Sequence, residues 1–122
     1  MICADTSVWV DHFRAGDERL MALLAEERIG MHPFVIAELM LGSLRNRHAV
    51  REMLEDLPEL IVAGDTEIIP FIERSRLFGR GIGFVDAHLL AGVCLTPGAK
   101  LWTRDKRLAR AASDLNVAAP FD

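Results

Sequence analysis

Four carboxylates stand where an alternating chain of strands and helices can bring side chains together. Asp5 closes the short apolar run Met1-Ile2-Cys3-Ala4, and Asp105 follows Ala99-Lys100-Leu101-Trp102-Thr103-Arg104. Asp86 falls in the first turn of the apolar stretch from Phe84 to Leu95, and Glu38 lies inside Phe34-Val35-Ile36-Ala37-Glu38-Leu39-Met40-Leu41. Singly, Asp5, Asp86 and Asp105 have a plain explanation as acids near helix starts, where a carboxylate caps free N–H groups for roughly 1 kcal/mol. Glu38 lies beyond the first turn, so a charge among apolar neighbours must find an Arg or His partner or become neutral. Jointly they point elsewhere. Several carboxylates brought close together cannot all stay ionised without a cation, and an all-oxygen donor set suits Mg²⁺ or Mn²⁺ and not zinc. Such ions activate water and stabilise the departing oxygen when a phosphodiester is displaced in line.

The basic residues agree with that chemistry. Lys100, Arg104, Lys106, Arg107 and Arg110 flank Asp105; Arg45, Arg47, His48 and Arg51 form a second group, and Arg74, Arg76 and Arg80 a third. Any one group is also explained as a solvated helix face. An acid cluster with a basic rim reads as a phosphodiesterase more readily than as a glycosidase, which needs two carboxylates and no such rim. In that reading Arg104, Lys106 and Arg107 position a nucleic-acid backbone without reading bases.

The elements that must hold these acids follow from periodicity and punctuation. A first strand ends at Asp5, and Asp5-Thr6-Ser7 offers helix caps before Val8-Trp9-Val10. A helix to about Arg14, a Gly16-Asp17 break, a helix to about Glu26 and a second strand over Ile29 to His32 come next. Pro33 suits the first position of the Glu38 helix. His48 to Asp56 reads as a helix, Leu60 to Ala63 as a third strand, and Asp65-Thr66 as a helix start running on to Gly79 across Pro70. The helix from Phe84 returns through Thr96-Pro97-Gly98 into a strand ending at the Thr103-Arg104-Asp105 elbow. A last helix spans Lys106 to Leu115, with Asn116-Val117-Ala118 as an edge strand. This alternation predicts a parallel-sheet α/β/α sandwich of about five short strands with helices on both faces. Open sheets of this kind bind ligands at the carboxyl ends of their strands, where Asp5 and Asp105 fall.

Composition bounds the rest. The 122 residues, 51% apolar, make one domain over 1–122 with a real core. No apolar run approaches the ~20 residues of a membrane span, and Met1-Ile2-Cys3-Ala4 offers no basic leader, so a cytoplasmic protein is expected. Cys3 and Cys94 lack zinc or disulfide spacing and read as small core residues. The net charge of −4 argues against general nucleic-acid binding, leaving only local basic clusters for phosphate. Gly79-Arg80-Gly81-Ile82-Gly83 fails as a dinucleotide loop, because no strand precedes it and an acid follows; a flexible lead into the Asp86 helix fits better. His12, His32, His48 and His88 show no paired metal spacing. Trp9 and Phe13, four apart, read first as core and second as a partner surface.

The segments Asp5-Thr6-Ser7, Glu38-Leu39-Met40-Leu41-Gly42, Asp86-Ala87-His88-Leu89-Leu90-Ala91 and Thr103-Arg104-Asp105 resemble, in order and separation, the four acidic motifs of PIN-domain nucleases. Over essentially the whole chain, length and order are similar to the VapC-type toxins of bacterial toxin–antitoxin pairs. The resemblance implies an Mg²⁺- or Mn²⁺-dependent endoribonuclease that cuts structured or ribosomal RNA, is silenced by a small antitoxin and forms a homodimer. By that analogy Asp5, Asp86 and Asp105 hold the metal, and Glu38 acts directly or through water. Thr6 and Thr103 support the site by hydrogen bonds, and Trp9 and Phe13 are candidates for the antitoxin groove. His88 stands where many relatives carry an apolar residue, which implies a helix less buried on that side.

Two rival readings belong to other classes. In a phospho-receiver, Asp65 would accept phosphate beside Asp5, although the first strand lacks the adjacent acid pair such a module uses. A catalytically silent PIN-like domain would merely dock a partner and has no need of Glu38.

Overall fold

Strand β1 (Ile2–Ala4) is the centre of a three-stranded parallel sheet of order β2-β1-β3, with β2 at Ile29–Gly30 and β3 at Lys100–Trp102. The computed structural model describes residues 1–121. In register, Ile2 pairs with Ile29 and Lys100, and Ala4 with Trp102. Successive residues of a strand face opposite sides of its sheet, yet Ile2, Cys3 and Ala4 are all buried, so both faces of the sheet are covered. The cover comes from α1 (Thr6–Ala15), α2 (Glu18–Ala25), α3 (Pro33–Met40), α4 (Arg47–Glu55), α5 (Asp65–Arg74), α6 (Phe84–Leu95) and α7 (Lys106–Asp114). The expected α/β class and helix order are therefore present.

The strand count is smaller than the sequence predicts. Of the five expected strands, two shrink to single parallel bridges, Met31 with Glu59 and Leu101 with Ala118. Two hydrogen bonds, Met31 N to Pro58 O at 2.8 Å and Leu60 N to Met31 O at 3.0 Å, begin the Leu60–Ala63 ladder. It stops there because the next rung would need an N–H from Pro33, which has none and already opens α3; the Ile61 N–H, on the opposite edge, donates to Thr96 Oγ1 at 2.9 Å. At the other edge Leu101 N donates to Val117 O at 2.7 Å and Ala119 N to Leu101 O at 2.8 Å, and the pairing goes no further.

One helix end differs for an equally local reason, while α2 and α7 end where expected. The fifth helix stops at Arg74, short of Gly79, because Arg76 turns left-handed at φ 53° and Leu77 N bonds back to Ile72 O at 3.1 Å. Glu27 (φ 57°) closes α2 and Asn116 (φ 61°) closes α7 with equivalent bonds, Arg28 N to Leu23 O and Val117 N to Ala112 O, both 2.9 Å. These are Schellman closures made without glycine.

The core is led by Trp9, Trp102, Leu20, Leu54, Leu89, Leu90, Leu101 and Leu108. Three expectations change here. Trp9 is fully buried, so it is core and not partner surface. Cys3 is buried but Cys94 is exposed at the end of α6, where its side of the helix meets solvent. His88 is 3% exposed, packed between the rings of Phe34 and Phe84 at 4.7 and 4.6 Å, so α6 is buried on that side too.

Candidate active site

Asp5 leaves the carboxyl end of β1 and caps α1. Its Oδ1 accepts from Ser7 N at 3.0 Å, from Ser7 Oγ and from Val8 N at 3.4 Å, while its Oδ2 accepts from Thr103 Oγ1. Burial raises the carboxyl above its ordinary pKa, and these hydrogen bonds work against the rise. Asp105 caps α7 beyond the carboxyl end of β3, accepting on Oδ1 from Arg107 N at 2.9 Å and Leu108 N at 3.2 Å. Thr103 joins the two acids, since its hydroxyl donates to Asp5 and accepts the Asp105 N–H at 3.0 Å.

Glu38 enters from α3. It is exposed and not enclosed as the apolar sequence around it predicts, because this face of α3 opens onto a groove. Its Oε1 accepts from Thr6 Oγ1 at 2.6 Å, so the residue after Asp5 orients Glu38. Asp86 sits in the first turn of α6, partly buried, and among the described residues no hydrogen bond reaches its carboxylate. Burial, then the like charges of Asp5, Asp105 and Glu38, push its pKa up to about 6. That repulsion is the direct sign that the four acids share one region at the carboxyl edge of the sheet.

The donors fit a hard divalent cation in kind. They are all oxygen, and Asp105 Oδ2, Glu38 Oε2 and both Asp86 oxygens have no protein hydrogen bond among the described residues. Among the described residues, no three Asp, Glu, His or Cys side chains are gathered into one ligand shell. The two observations are compatible for Mg²⁺, which keeps several waters and is held by one or two carboxylates. Zinc, which takes three or four protein ligands rich in nitrogen or sulfur, does not suit this set.

The basic residues divide. Lys106 and Arg107 are exposed in the first turn of α7, immediately beside Asp105. Arg104 is not free for RNA: its guanidinium pairs with both Asp11 and Asp17 and lies 5.8 Å from the Trp102 ring. It ties the loop after β3 to α1 and to the start of α2. Phe13 does line a groove, about 680 Å³, with Val10, Leu39, Leu44, Arg14 and Glu38. That groove therefore reaches the acid site, without the buried Trp9. Asp65 merely opens α5 as an exposed first-turn acid, and no strand precedes it, which removes the receiver geometry.

Sequence reasoning leaves Ser7 without a role, though its place two residues after Asp5 is the signature of a side chain that folds back onto a cap. Arg80 and Arg110 are visible in the sequence only as members of charge groups; their juxtaposition with Lys106 and Arg107 depends on the Gly79–Gly83 loop.

Comparison with known proteins gives a consistent result. The PIN domain family profile matches residues 2–114. Ribonuclease VapC32 of Mycobacterium tuberculosis (strain ATCC 25618 / H37Rv) is 49% identical over 118 residues, covering 97% of this chain and 95% of that protein. VapC ribonuclease Mb1587 of Mycobacterium bovis and Ribonuclease VapC11 of Mycobacterium tuberculosis are each 34% identical over 116 residues, covering 86% of this chain and 87% of theirs.

Proposed function

The chain belongs to the PIN-domain family, as a VapC-type member, and from that premise we propose that it is an Mg²⁺- or Mn²⁺-dependent endoribonuclease, the toxin of a toxin–antitoxin pair. The observation that carries this reading is the gathering of Asp5, Asp86, Asp105 and Glu38 at the carboxyl edge of the sheet, with Thr103 bridging Asp5 to the Asp105 backbone and Thr6 holding Glu38; burial, and then the charges of the other three, raise the Asp86 pKa to about 6. A phosphodiester is itself an anion and cannot approach four carboxylates unless a cation lies between them. Asp5, Asp86 and Asp105 would hold that cation, and Glu38 would act directly or through water. When bound, it supplies charge stabilisation at the scissile phosphate and activation of the attacking water.

The protein's own part is preorganisation. Thr103 fixes Asp5 and the Asp105 backbone together, and Thr6 turns Glu38 so that Oε2 is available to orient water. Lys106 and Arg107 stand beside Asp105 and hold the RNA backbone, which fixes register without selecting bases. The groove bearing Phe13, Val10, Leu39 and Leu44, rimmed by Arg14 and Arg45, suits an apolar segment of a small antitoxin and opens beside Glu38. An antitoxin seated there blocks the acids. A homodimer is the expected assembly, which sedimentation of the purified chain tests. Among the described residues no helix is long and apolar enough to cross a membrane, consistent with action in the cytoplasm.

The test is cleavage of a mixed structured RNA by the purified chain with Mg²⁺ or Mn²⁺, against chelator and against Asp86→Asn. Fragments should require both the metal and Asp86. Undiminished cleavage by Asp86→Asn, or in chelator, overturns the assignment.

A further inference from the structure

Beyond Asp105, the same helix builds a cleft of about 310 Å³ lined by Arg80, Lys106, Arg107 and Arg110, with no carboxylate in its lining. In a chain of net charge −4 this is an uneven use of cations. Their placement also runs against helix stability. Lys106 and Arg107 occupy the first turn of α7, which has no acid of its own, at the positive end of the helix dipole. Lys106 and Arg110 stand four apart on one helix face, a like-charge spacing that destabilises a helix by a few tenths of a kcal/mol.

The surroundings hold these groups in place. Arg80 Nη2 donates to Asp114 Oδ2 at 2.8 Å, which fixes its guanidinium across from the start of α7. Arg107 lies directly on the Gly79–Gly83 loop. Gly81 (φ 75°) sits under its guanidinium, where a Cβ would come 2.5 Å from Nη1 and push the side chain aside, and the positive φ itself favours glycine there. Lys106, Arg107 and Arg110 form no ion pair with a described carboxylate. Arg110 lies about 7.5 Å along the helix from Asp105, at 1.5 Å per residue. A strand whose scissile phosphate sits at the acids thus passes these cations next.

We propose that Arg80, Lys106, Arg107 and Arg110 form a second phosphate subsite, which holds a non-scissile phosphodiester of the RNA strand on the α7 side of the cut. The inference rests on the ribonuclease reading and deepens it: two residues without an assigned role, Arg80 and Arg110, become binding residues. It also makes substrate recognition directional, because phosphates on the side of the cut facing α7 matter and those on the other side do not reach the cleft.

The test measures binding and cutting separately. Fluorescence anisotropy of a labelled single-stranded oligoribonucleotide is followed in chelator from low to high salt, for the unmodified chain, for Lys106→Gln with Arg110→Gln, and for Arg28→Gln with Arg51→Gln. The last pair removes the same charge from exposed arginines elsewhere. The cleft pair should weaken binding about tenfold or more and flatten the slope of log Kd against log salt by about 0.7 for each phosphate no longer neutralised. In cleavage with Mg²⁺ it should raise KM more than it lowers kcat. The control pair should bind like the unmodified chain.

An unmodified chain that cuts RNA while the cleft pair keeps its affinity and slope overturns the subsite and leaves the ribonuclease standing. RNA that is bound with a cleft-dependent slope but never cut, with metal present, overturns the ribonuclease and leaves the subsite. Inorganic phosphate that binds the unmodified chain but not the cleft pair, and yet leaves RNA affinity unchanged against chloride of equal ionic strength, overturns the RNA assignment in favour of a free phosphate.

Discussion

Removing one charge from the acid cluster should stabilise the metal-free protein while removing its activity. Asp86 is the residue to change, since among the described residues it has no hydrogen bond to lose and its pKa is raised to about 6 from 3.8. In the folded chain it therefore holds its proton more tightly than in the unfolded chain. Between pH 3.8 and about 6 the folded state binds more protons, so stability falls as pH rises and levels off above that window. The shift corresponds to about 3 kcal/mol above pH 7 if taken whole. Because the side chain is only partly buried, solvent screening brings the expected penalty to about 1–3 kcal/mol, with about half of it already present at pH 5.

Asp86→Asn keeps the shape and removes the charge. Urea unfolding in chelator should show the variant more stable than the unmodified chain by about 1–3 kcal/mol at pH 8, with a clearly smaller gap at pH 5. Added Mg²⁺ should then reverse the order, because an ion that binds only the folded unmodified chain stabilises it by mass action. A variant less stable than the unmodified chain at pH 8, or a gap that does not change between pH 5 and pH 8, would refute the claim that burial and the charges of its three neighbours raise Asp86.

Other perturbations separate scaffold from chemistry. Arg104→Gln should lower the thermal midpoint by loosening the post-β3 loop from Asp11 and Asp17 while leaving KM for RNA unchanged; a raised KM at unchanged midpoint returns Arg104 to the RNA-contacting set. Thr103→Val should cost about 1–3 kcal/mol in urea unfolding and also lower kcat, because the Asp5 carboxylate and the Asp105 N–H both lose a partner. A full kcat in that variant denies Thr103 its positioning role. Gly92→Ala should cost about 1–3 kcal/mol by overpacking, since a Cβ there would meet Ile61 O at 2.9 Å and the His32 ring at 3.1 Å. An unchanged urea midpoint would show that α6 can move away from the Ile61 backbone.

Residues whose role is fixed by their immediate neighbours are legible in the sequence. Asp5 and Asp105 follow a buried strand and precede a helix, so they both end a strand and cap a helix. Pro33 opens α3 as its chemistry requires. What depends on distant partners is not legible. The Ile61 N–H is claimed by Thr96, 35 residues away, and Arg104 by two acids of the first thirty residues, whereas the third strand itself fails at Pro33, which has no N–H for the next rung. The end of α5 escapes a reading that looks for glycine and runs on to Gly79, because its closing bond at Arg76 holds without one, whereas α2 and α7 end where expected, at about Glu26 and Leu115. The apolar run around Glu38 misleads because only one side of α3 is packed: Val35 and Leu39 are buried, while Glu38 faces the groove and Leu41, which caps the helix, is 88% exposed.

The site is nevertheless assembled by short-range chemistry at one point of the sheet. The register that pairs Ala4 with Trp102 puts Asp5 beside Thr103, and Asp5 N bonds Trp102 O at 2.9 Å as the last rung before the strands part. From there two of the acids are supported by a sequence neighbour of another: Thr103, two before Asp105, holds Asp5, and Thr6, one after Asp5, holds Glu38. A slip of one residue between β1 and β3 would turn Thr103 to the opposite face and separate it from Asp5. Cys3, Ala4, Leu101 and Trp102 are all buried at that junction, so such a slip would also bring the outer polar elbow into the core. The packing that fixes the two strands therefore fixes the acids as well, and Asp86, supplied by a separate helix with no tether of its own, is the one member whose position is left to α6 alone.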